Sequence, residues 1–411
     1  MNREVWLRER IGSDAGYLLA GRPRREPLVV AFHLALRRRL LGLAGALELL
    51  QRVLLDLAER YRETLAVDYT YWQGAQPTTL GHALLAYVYP LDRDMARLRE
   101  AFARVNGSPA GAGCTNGATL PLDRERLARL LGFDHVVPHA RDANWQYDLP
   151  LELTALALSV ALVLDRCAED LQIWGSREFG FVELTDRASR ASLAMPQKKN
   201  PYSLTFVRGA CARLIGRVAG AAALAKTATG QPDPRIFSLF EVPDSLSLAE
   251  QAAAVLADVM AGLRVDEERL ADAAREGYLA ANDLAEAMMQ WRGIPYGTAH
   301  RIVGAAIRRA LEAGEDRDGI DAARLDAAAV EITGQPLGLT DEAIREALDP
   351  RAAIARRRGL GGAAPEEVSR LLAERRAALA EQRRWIEARA TALERAEAAL
   401  LAQARAVGRS A

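Results

Sequence analysis

The sequence has few cysteines, few histidines and no long apolar run. Its three cysteines, Cys114, Cys167 and Cys211, are far apart, which argues against a disulfide framework or a zinc site and fits a reducing cytosol. No stretch has the length and apolar character needed to span a bilayer. The first ten residues lack the apolar segment of a signal peptide. We therefore expect a cytoplasmic protein that has no contact with membranes.

A charge excess of either sign is also missing. The 54 Lys and Arg residues balance the 54 Asp and Glu residues, so nothing indicates a nucleic-acid partner or an acidic cation-binding tail. Half of the residues are hydrophobic, but only 6% are aromatic, and Ala, Leu, Arg and Glu dominate. This composition is typical of long packed helices, so we predict an all-α fold.

Apolar residues recur at spacings of three and four along several long segments. They predict helices over residues 28–67, 78–105, 149–174, 202–229 and 244–263, which we expect to form a central bundle. From about residue 270 the predicted helices become shorter, with Gly and Pro between them. No alternating pattern indicates a strand, and no internal repeat is present.

The segment 192–201, SLAMPQKKNP, carries the clearest functional signal. It places a serine, two lysines and an asparagine in a short stretch that contains Pro196 and ends at Pro201. Proline lacks an N–H group and has a fixed φ, so this stretch resists a regular helix. A polar loop between two long helices suggests catalysis rather than a simple connection.

This loop resembles the signature of the fumarase/aspartase superfamily, in the MPQKKNP form of argininosuccinate lyase. Segments 69–77 (YTYWQGAQP) and 106–113 (NGSPAGAG) resemble two further motifs of that family, and the resemblance covers nearly the whole chain. It implies a central long-helix bundle of the fumarase/aspartase type with a smaller C-terminal helical domain and a truncated N-terminal domain. It also implies a homotetramer in which several subunits build each active site.

We accordingly expect four units. Residues 1–27 are a remnant N-terminal segment, 28–268 the central bundle that carries the signature loop, 269–365 the C-terminal helical domain, and 366–411 a C-terminal helical extension. The charges of the extension are expected to be mostly a solvated face, and a coiled coil that binds a partner is the alternative.

The resemblance also implies a chemistry. In this family a base removes a proton beside a substrate carboxylate, charge develops on that carboxylate, and the neighbouring C–N bond breaks to give fumarate. By resemblance, Ser192 is the base, and Lys198 and Asn200 hold the carboxylate. Thr70, Gln76 and Ser108 are expected to bind substrate. No metal or organic cofactor is indicated.

Departures from the family motifs lie around this predicted site. The family's acid histidine is Tyr71 here, which becomes the candidate proton donor, and the glutamate that pairs with that histidine is Thr205. Both halves of one proton relay are therefore missing. The serine and asparagine of the family's GRSRNDQ motif are Pro23 and Arg25.

Arg24 or Arg25 is a candidate carboxylate clamp, with exposed surface arginines as the alternative. In the stretch that matches the family's substrate-recognition motif YNxDLQEDK, residues 235–243, only Leu239 and Glu241 agree. The site is therefore expected to hold argininosuccinate poorly.

These features favour a divergent carbon–nitrogen lyase that performs β-elimination on a succinate-like or aspartate-like substrate. A weakly basic leaving group, such as nitrite, would compensate for the lost relay. Two alternatives remain open, a non-catalytic scaffold or regulator with a lyase fold, and argininosuccinate lyase proper. A serine hydrolase is disfavoured because no histidine–carboxylate pair accompanies Ser192 at the level of motifs.

Overall fold

The structure, a computed structural model, describes residues 3–315 and 319–410 and consists mainly of helices. The helices of the first two thirds of the chain are α1 (Arg3–Ile11), α2 (Arg25–Arg60), α3 (Leu80–Val105), α4 (Arg124–Leu130), α5 (Ala140–Trp145), α6 (Asp148–Trp174), α7 (Tyr202–Ala225), α8 (Asp233–Ala261) and α9 (Glu267–Arg275). The remaining helices are α10 (Ala281–Arg292), α11 (Tyr296–Glu312), α12 (Ala322–Thr333), α13 (Asp341–Leu348), α14 (Pro350–Arg356) and α15 (Pro365–Ser410). The prediction of an all-α fold is confirmed.

Short strands occur at the ends of the long helices. They are β1 (Leu65–Thr70), β2 (Gln73–Thr79), β3 (Gly107–Ser108), β4 (His135–Val136), β5 (Val182–Glu183), β6 (Arg190–Ala191), β7 (Lys199–Asn200) and β8 (Arg264–Val265). They pair two by two, as β1 with β2, β3 with β4, β5 with β8 and β6 with β7. Each pair fixes a loop that lies beyond the bundle.

The bundle core is built around α2. Seven of its buried leucines follow one another at intervals of four and three residues, and they are Leu36, Leu40, Leu43, Leu47, Leu50, Leu54 and Leu57. This spacing places them on one stripe of a helix, which packs into one continuous core with α3, α6, α7 and α8. The regular spacing explains why the sequence predicts these helices.

The last helix, α15, belongs to the same core. Val368, Leu371, Leu372 and Leu379 are buried in it. Further along, Trp385 packs edge to face on Phe102 of α3, with the ring centroids 5.4 Å apart. The charges of α15 also make contacts with the bundle, because Arg375 pairs with Asp92 and Arg376 pairs with Asp56. This helix therefore packs along α2 and α3 as part of the bundle.

The first predicted helix, 28–67, was too long at its C-terminal end, because α2 ends at Arg60 and residues 65–79 form an antiparallel hairpin. The apolar positions Leu65, Ala66 and Val67 are consecutive rather than three or four apart, and β1 buries all three. The expectation of no strands was also wrong here. The hairpin leads directly into α3, whose first turn is capped by the Thr79 hydroxyl as it accepts the N–H of His82 at 3.1 Å.

The helix predicted over 244–263 begins earlier, at Asp233. Pro232 and Pro234 suggest a break in the sequence, but proline is tolerated in a first helical turn, where its missing N–H has no intrahelical role. Pro243 also lies within α8. The start of α8 is therefore an ordered element, and it contributes to the site described below.

Helices α10 to α13 have a core of their own, which includes Leu284, Met288, Ile302 and Ile344. A bidentate ion pair holds this unit to the segment after α14, because the Arg357 guanidinium donates to both carboxylate oxygens of Asp283 at 2.9 Å. Asp283 is nearly buried, so this pair is well shielded from solvent. No helix within the described ranges has the length and apolar character that crossing a membrane requires.

The packing of α15 predicts a large effect for a single truncation. Leu372 is 2% exposed, so Leu372→Ala leaves a cavity and should lower the free energy of unfolding by about 2–5 kcal/mol. Leu360→Ala is the matched control, because Leu360 is 89% exposed and its truncation should change stability by about 0.5 kcal/mol or less. Urea denaturation measures both. Equal, small effects would show that α15 does not pack on the bundle.

Candidate active site

The signature loop is a hairpin-like turn at one end of the bundle. Its base is the β6–β7 pair, in which Arg190 lies opposite Asn200 and Ala191 opposite Lys199. The Ser192 N–H donates to the Lys198 carbonyl at 3.2 Å, and the Lys198 N–H donates to the Met195 carbonyl at 3.0 Å. Most of the loop is exposed, so its backbone bonds give it its shape.

Ser192 is half-buried, and its Oγ accepts the N–H of Met195 at 3.1 Å. This bond closes the turn, and it also places a backbone dipole on the serine oxygen. A serine acts as a base in its alkoxide form, and such a donor stabilises the negative charge that this form carries on Oγ. The geometry is compatible with the predicted role of Ser192.

The two lysines of the loop have different surroundings. The Lys199 ammonium lies 2.8 Å from an Asp186 carboxylate oxygen and 2.9 Å from one of Glu183. These hydrogen bonds to Asp186 and Glu183 raise the pKa of Lys199. The Lys198 side chain is exposed and makes no hydrogen bond or ion pair with any residue in 3–315 or 319–410. Lys198 is therefore the lysine that is available to a ligand.

Asn200 and Thr205 both contact the backbone of the loop. The Asn200 Nδ2 donates to the Arg190 carbonyl at 3.1 Å and so ties the two strands together. The Thr205 hydroxyl donates to the Pro201 carbonyl at 3.4 Å in the first turn of α7. Neither contact replaces the carboxylate of the missing relay.

The β1–β2 hairpin carries the other predicted residues of this end. Thr70 and Gln76 are exposed, and Tyr71 and Trp72 form the two-residue turn between the strands. Both turn residues have positive φ, 52° and 60°, as a turn of this length requires. Tyr71 is 97% exposed, so its hydroxyl faces solvent in the single subunit.

Aromatic packing joins this hairpin to the signature loop. The Tyr69 ring lies 5.6 Å from Phe179 and 6.4 Å from Phe181, measured between centroids. Phe181 directly precedes β5, whose Glu183 pairs with Lys199. Thr70, Tyr71, Gln76, Ser192 and Lys198 therefore lie at one end of the bundle, which we call the signature end.

The remaining predicted residues lie at the opposite end, which we call the arginine end. The buried Glu26 carboxylate accepts the N–H groups of Gly111 and Gly113 at 2.9 and 2.8 Å. It thereby attaches the glycine-rich loop to the first turn of α2. Ser108 is fully buried in the same loop, and its Oγ accepts the N–H of Ala110 at 3.3 Å.

Arg24 and Arg25 begin α2 at this end. Arg24 is exposed, whereas the Arg25 guanidinium stacks on the Trp145 indole, 3.3 Å from the ring centroid. Trp145 is held in turn by its Nε1–H, which donates to the Cys114 carbonyl at 2.7 Å. The buried Arg235 at the start of α8 donates from Nη2 to the Arg25 carbonyl at 3.2 Å.

The two ends are far apart in one subunit. Helix α3 joins the hairpin to Gly107–Ser108, and its 26 residues span about 39 Å at 1.5 Å per residue. Helix α8 likewise begins beside Arg25 and ends next to β8, which pairs with β5 at the signature end. The structure thus brings the predicted residues together in two groups rather than one.

Glu26, Trp145 and Arg235 were missed by the sequence analysis. Their partners are distant in sequence, because 85 residues separate Glu26 from Gly111 and 210 separate Arg25 from Arg235. The only local signal was that Arg235 replaces the tyrosine of the family's recognition motif.

Comparison with known proteins supports the resemblance to argininosuccinate lyase. The sequence pattern of the lyase family matches residues 6–216, and that of the argininosuccinate lyase C-terminal region matches residues 278–355. The argininosuccinate lyase of Methanoculleus marisnigri is 36% identical over 411 residues, which cover 98% of this chain and 81% of that protein.

Two solved structures of EDDS lyase have the same fold. A variant with bound fumarate superposes with a TM-score of 0.92 at 30% identity, covering 98% of this chain and 81% of the other. The complex with formate gives a TM-score of 0.90 at 31% identity, covering 97% and 80%. The chain therefore belongs to the argininosuccinate lyase-like group of the fumarase/aspartase superfamily, and by family it is a carbon–nitrogen lyase.

Proposed function

We propose that this lyase catalyses a base-initiated β-elimination that releases fumarate from a succinate-like or aspartate-like substrate. In this proposal Ser192 is the base, Lys198 and Asn200 hold the substrate carboxylate, and the leaving group departs without a proton from the enzyme. The observation that carries the proposal is the signature loop, in which Ser192 accepts a backbone N–H and the Lys198 ammonium is exposed.

The proposed step starts from the Ser192 alkoxide, so that every proton and electron pair is accounted for. The alkoxide takes a proton from the carbon beside one carboxylate and becomes a hydroxyl, and the negative charge spreads into that carboxylate near Lys198. The pair of electrons then forms the C=C bond of fumarate, and the C–N electron pair leaves with the nitrogen. Lys198 contributes because it stabilises charge that exists only in the transition state.

The leaving group is restricted by what the signature end lacks. Thr205 bonds to its own helix turn, and the fully exposed Tyr71 has no carboxylate to orient it within its own subunit's described residues. A nitro group that leaves as nitrite needs no added proton. An amine that is already protonated in the substrate also needs none, because it leaves as the neutral amine.

Argininosuccinate lyase is the second candidate function. The name of the M. marisnigri relative favours it, and that relative is 36% identical to this chain. Against it stand Tyr71, Thr205 and Arg235, which replace the acid histidine, its glutamate and the recognition tyrosine of the family. Argininosuccinate therefore belongs in every substrate panel.

A homotetramer with shared active sites is part of the proposal. The separation of about 39 Å across α3 supports it, because residues at the two ends meet only if another subunit contributes. Exposed apolar side chains on the bundle helices also support it, among them Leu162, Phe206, Ile215, Phe237 and Phe240. A cytoplasmic location is proposed as well, and the free thiols of Cys167 and Cys211 are consistent with it.

The base is tested by comparing two serines of the same region. Ser192→Ala should lower kcat at least a hundredfold on whichever substrate releases fumarate, because it removes the proton acceptor. Ser189→Ala is the matched control and should stay within about twofold. The assay follows fumarate by its ultraviolet absorbance across argininosuccinate, nitrosuccinate and N-alkylaspartates.

Argininosuccinate as the best substrate would contradict the proposed leaving group. Fumarate release that survives in Ser192→Ala would remove the serine from its role. If no member of the panel releases fumarate, the alternative of a non-catalytic scaffold with a lyase fold would be favoured.

The two lysines provide an equally sharp comparison. Lys198→Met should weaken fumarate binding at least tenfold, because an exposed ammonium is lost from the carboxylate site. Lys199→Met loses only an exposed ion pair with Glu183 and Asp186, so it should bind fumarate nearly as well as the wild type. Ligand-observed NMR measures both affinities. The opposite ranking would assign the carboxylate to Lys199.

Mixed oligomers test whether sites are shared. Pure oligomers of Ser192→Ala are expected to be inactive, and pure oligomers of Arg25→Ala to be at least tenfold impaired, because Arg25 is the candidate carboxylate clamp of the arginine end. Oligomers that contain both should regain part of the activity, because some sites combine an intact signature end with an intact arginine end. Activity of co-purified mixed oligomers gives the readout. Complete inactivity of the mixture, with oligomers still formed, would place both residues in the same subunit's contribution.

A further inference from the structure

Arg25 and Arg235 form an unusual pair at the arginine end. Arg235 is only 8% exposed, and its Nη2 donates to the Arg25 backbone carbonyl. The Nη1 atoms of both guanidinium groups are buried, and neither has a hydrogen-bond acceptor among the described residues. A buried and a partly buried guanidinium group thus lie close together, each with one donor that no described residue satisfies.

Such an arrangement is unfavourable unless something compensates it. A buried charged donor without an acceptor costs more than a neutral one, and two like charges repel each other. Burial, together with the nearby Arg25 charge, lowers the pKa of Arg235 to about 10, so Arg235 remains charged at neutral pH. The pair therefore favours an anion.

Arg37 shows how the same fold treats a structural arginine. Its guanidinium donates to Asn106 Oδ1 at 2.8 Å, to the Gly132 carbonyl at 2.6 Å and to the Leu131 carbonyl at 3.0 Å. It also lies over the Phe133 ring, 4.2 Å from the centroid. The Nε of Arg37 lacks an acceptor among the described residues, but both of its terminal nitrogens are paired. Buried polar groups are normally paired, so the unpaired terminal Nη1 groups of Arg25 and Arg235 point to a ligand.

The cavity beside Arg235 indicates what else the ligand carries. It measures about 300 Å³, and its lining includes Arg235, Arg104, Asp142, Asp148 and Asn144, with apolar walls from Phe32 and Leu239. The Asn144 Nδ2 donates to the Gly113 carbonyl at 2.9 Å, while its buried Oδ1 has no donor within the described part of the chain. An acceptor and two carboxylates suit a positively charged N–H group.

We infer that Arg25 and Arg235 bind a carboxylate on the leaving half of the substrate, which is an amine that carries a carboxylate. Asn144 Oδ1 accepts an N–H of the same amine. The assignment of this carboxylate to the leaving half of the substrate rests on the proposed function. The inference that the two arginines bind a carboxylate does not. The amine is protonated in the substrate, so the C–N electron pair goes to nitrogen and the neutral amine departs without a proton from Tyr71.

Binding is tested without turnover. The probes are β-alanine and β-alaninamide, which share an ammonium group and differ in the carboxylate. Calorimetry on the wild type should show at least tenfold tighter binding of β-alanine, and Arg235→Gln and Arg25→Gln should each remove the preference. Arg22→Gln, at an exposed arginine of the same segment, is the matched control and should keep it. A wild-type preference below twofold, or one that survives in Arg235→Gln, would overturn the inference.

Stability separates a binding role from a structural one. Without ligand, Arg235→Gln should unfold at the same temperature as the wild type or above it, because the variant loses an uncompensated buried charge. Arg37→Gln should unfold at a lower temperature, since it leaves three acceptors unpaired. Destabilisation of Arg235→Gln as large as that of Arg37→Gln would make Arg235 structural and overturn the inference.

Kinetics connect the site to the reaction. N-(2-carboxyethyl)aspartate releases β-alanine, and N-propylaspartate releases propylamine by the same elimination. The ratio of their kcat/KM values should be at least ten in the wild type and near one in Arg235→Gln. A general loss of activity in the variant would affect both substrates equally, so it does not change the ratio. An unchanged ratio overturns the inference. Fumarate from neither substrate would count against the proposed function, while the binding experiment would still decide the carboxylate site.

Discussion

The rigid length of the bundle helices is the constraint on which the site depends. Each helical residue advances the chain by about 1.5 Å, so α3 keeps the β1–β2 hairpin about 39 Å from Gly107–Ser108. The leucine stripe of α2 is buried along the whole bundle, and no rotamer change shortens that distance. A reaction that uses Ser192 and Arg25 together therefore needs the arginine end of one subunit beside the signature end of another.

The sequence predicted the structural features that depend on residues close together in the chain. It missed features that depend on residues far apart in the chain. Helices α3, α6 and α7 were predicted within a few residues of their observed bounds, and α2 was predicted except for its C-terminal end, because apolar residues three and four apart define a buried stripe. The hairpin was missed because Leu65, Ala66 and Val67 continue the apolar run of α2 with a different period. The start of α8 was missed because proline marks both helix breaks and first turns.

The same limit applies within the candidate site. Ser192 and Lys198 were predicted because the motif that contains them is contiguous. The resemblance already selects Lys198 over Lys199, and the structure adds that Glu183 and Asp186 pair with the Lys199 ammonium while the Lys198 ammonium is exposed. The attachment of the glycine-rich loop by Glu26 and the pairing of Arg25 with Arg235 are tertiary contacts without any local pattern.

The changes at the two ends are consistent with one change of substrate. At the signature end, Tyr71 and Thr205 stand where the family has its acid histidine and glutamate, and in our proposal the leaving group receives no proton from the enzyme. At the arginine end, the guanidinium groups of buried Arg235 and partly buried Arg25 favour a negative charge where a positively charged guanidine would be repelled. A protonated amine with its own carboxylate, as proposed above, meets both conditions, because it carries the proton that it needs to leave as a neutral amine and offers an acceptor to the unpaired Nη1 groups of Arg25 and Arg235.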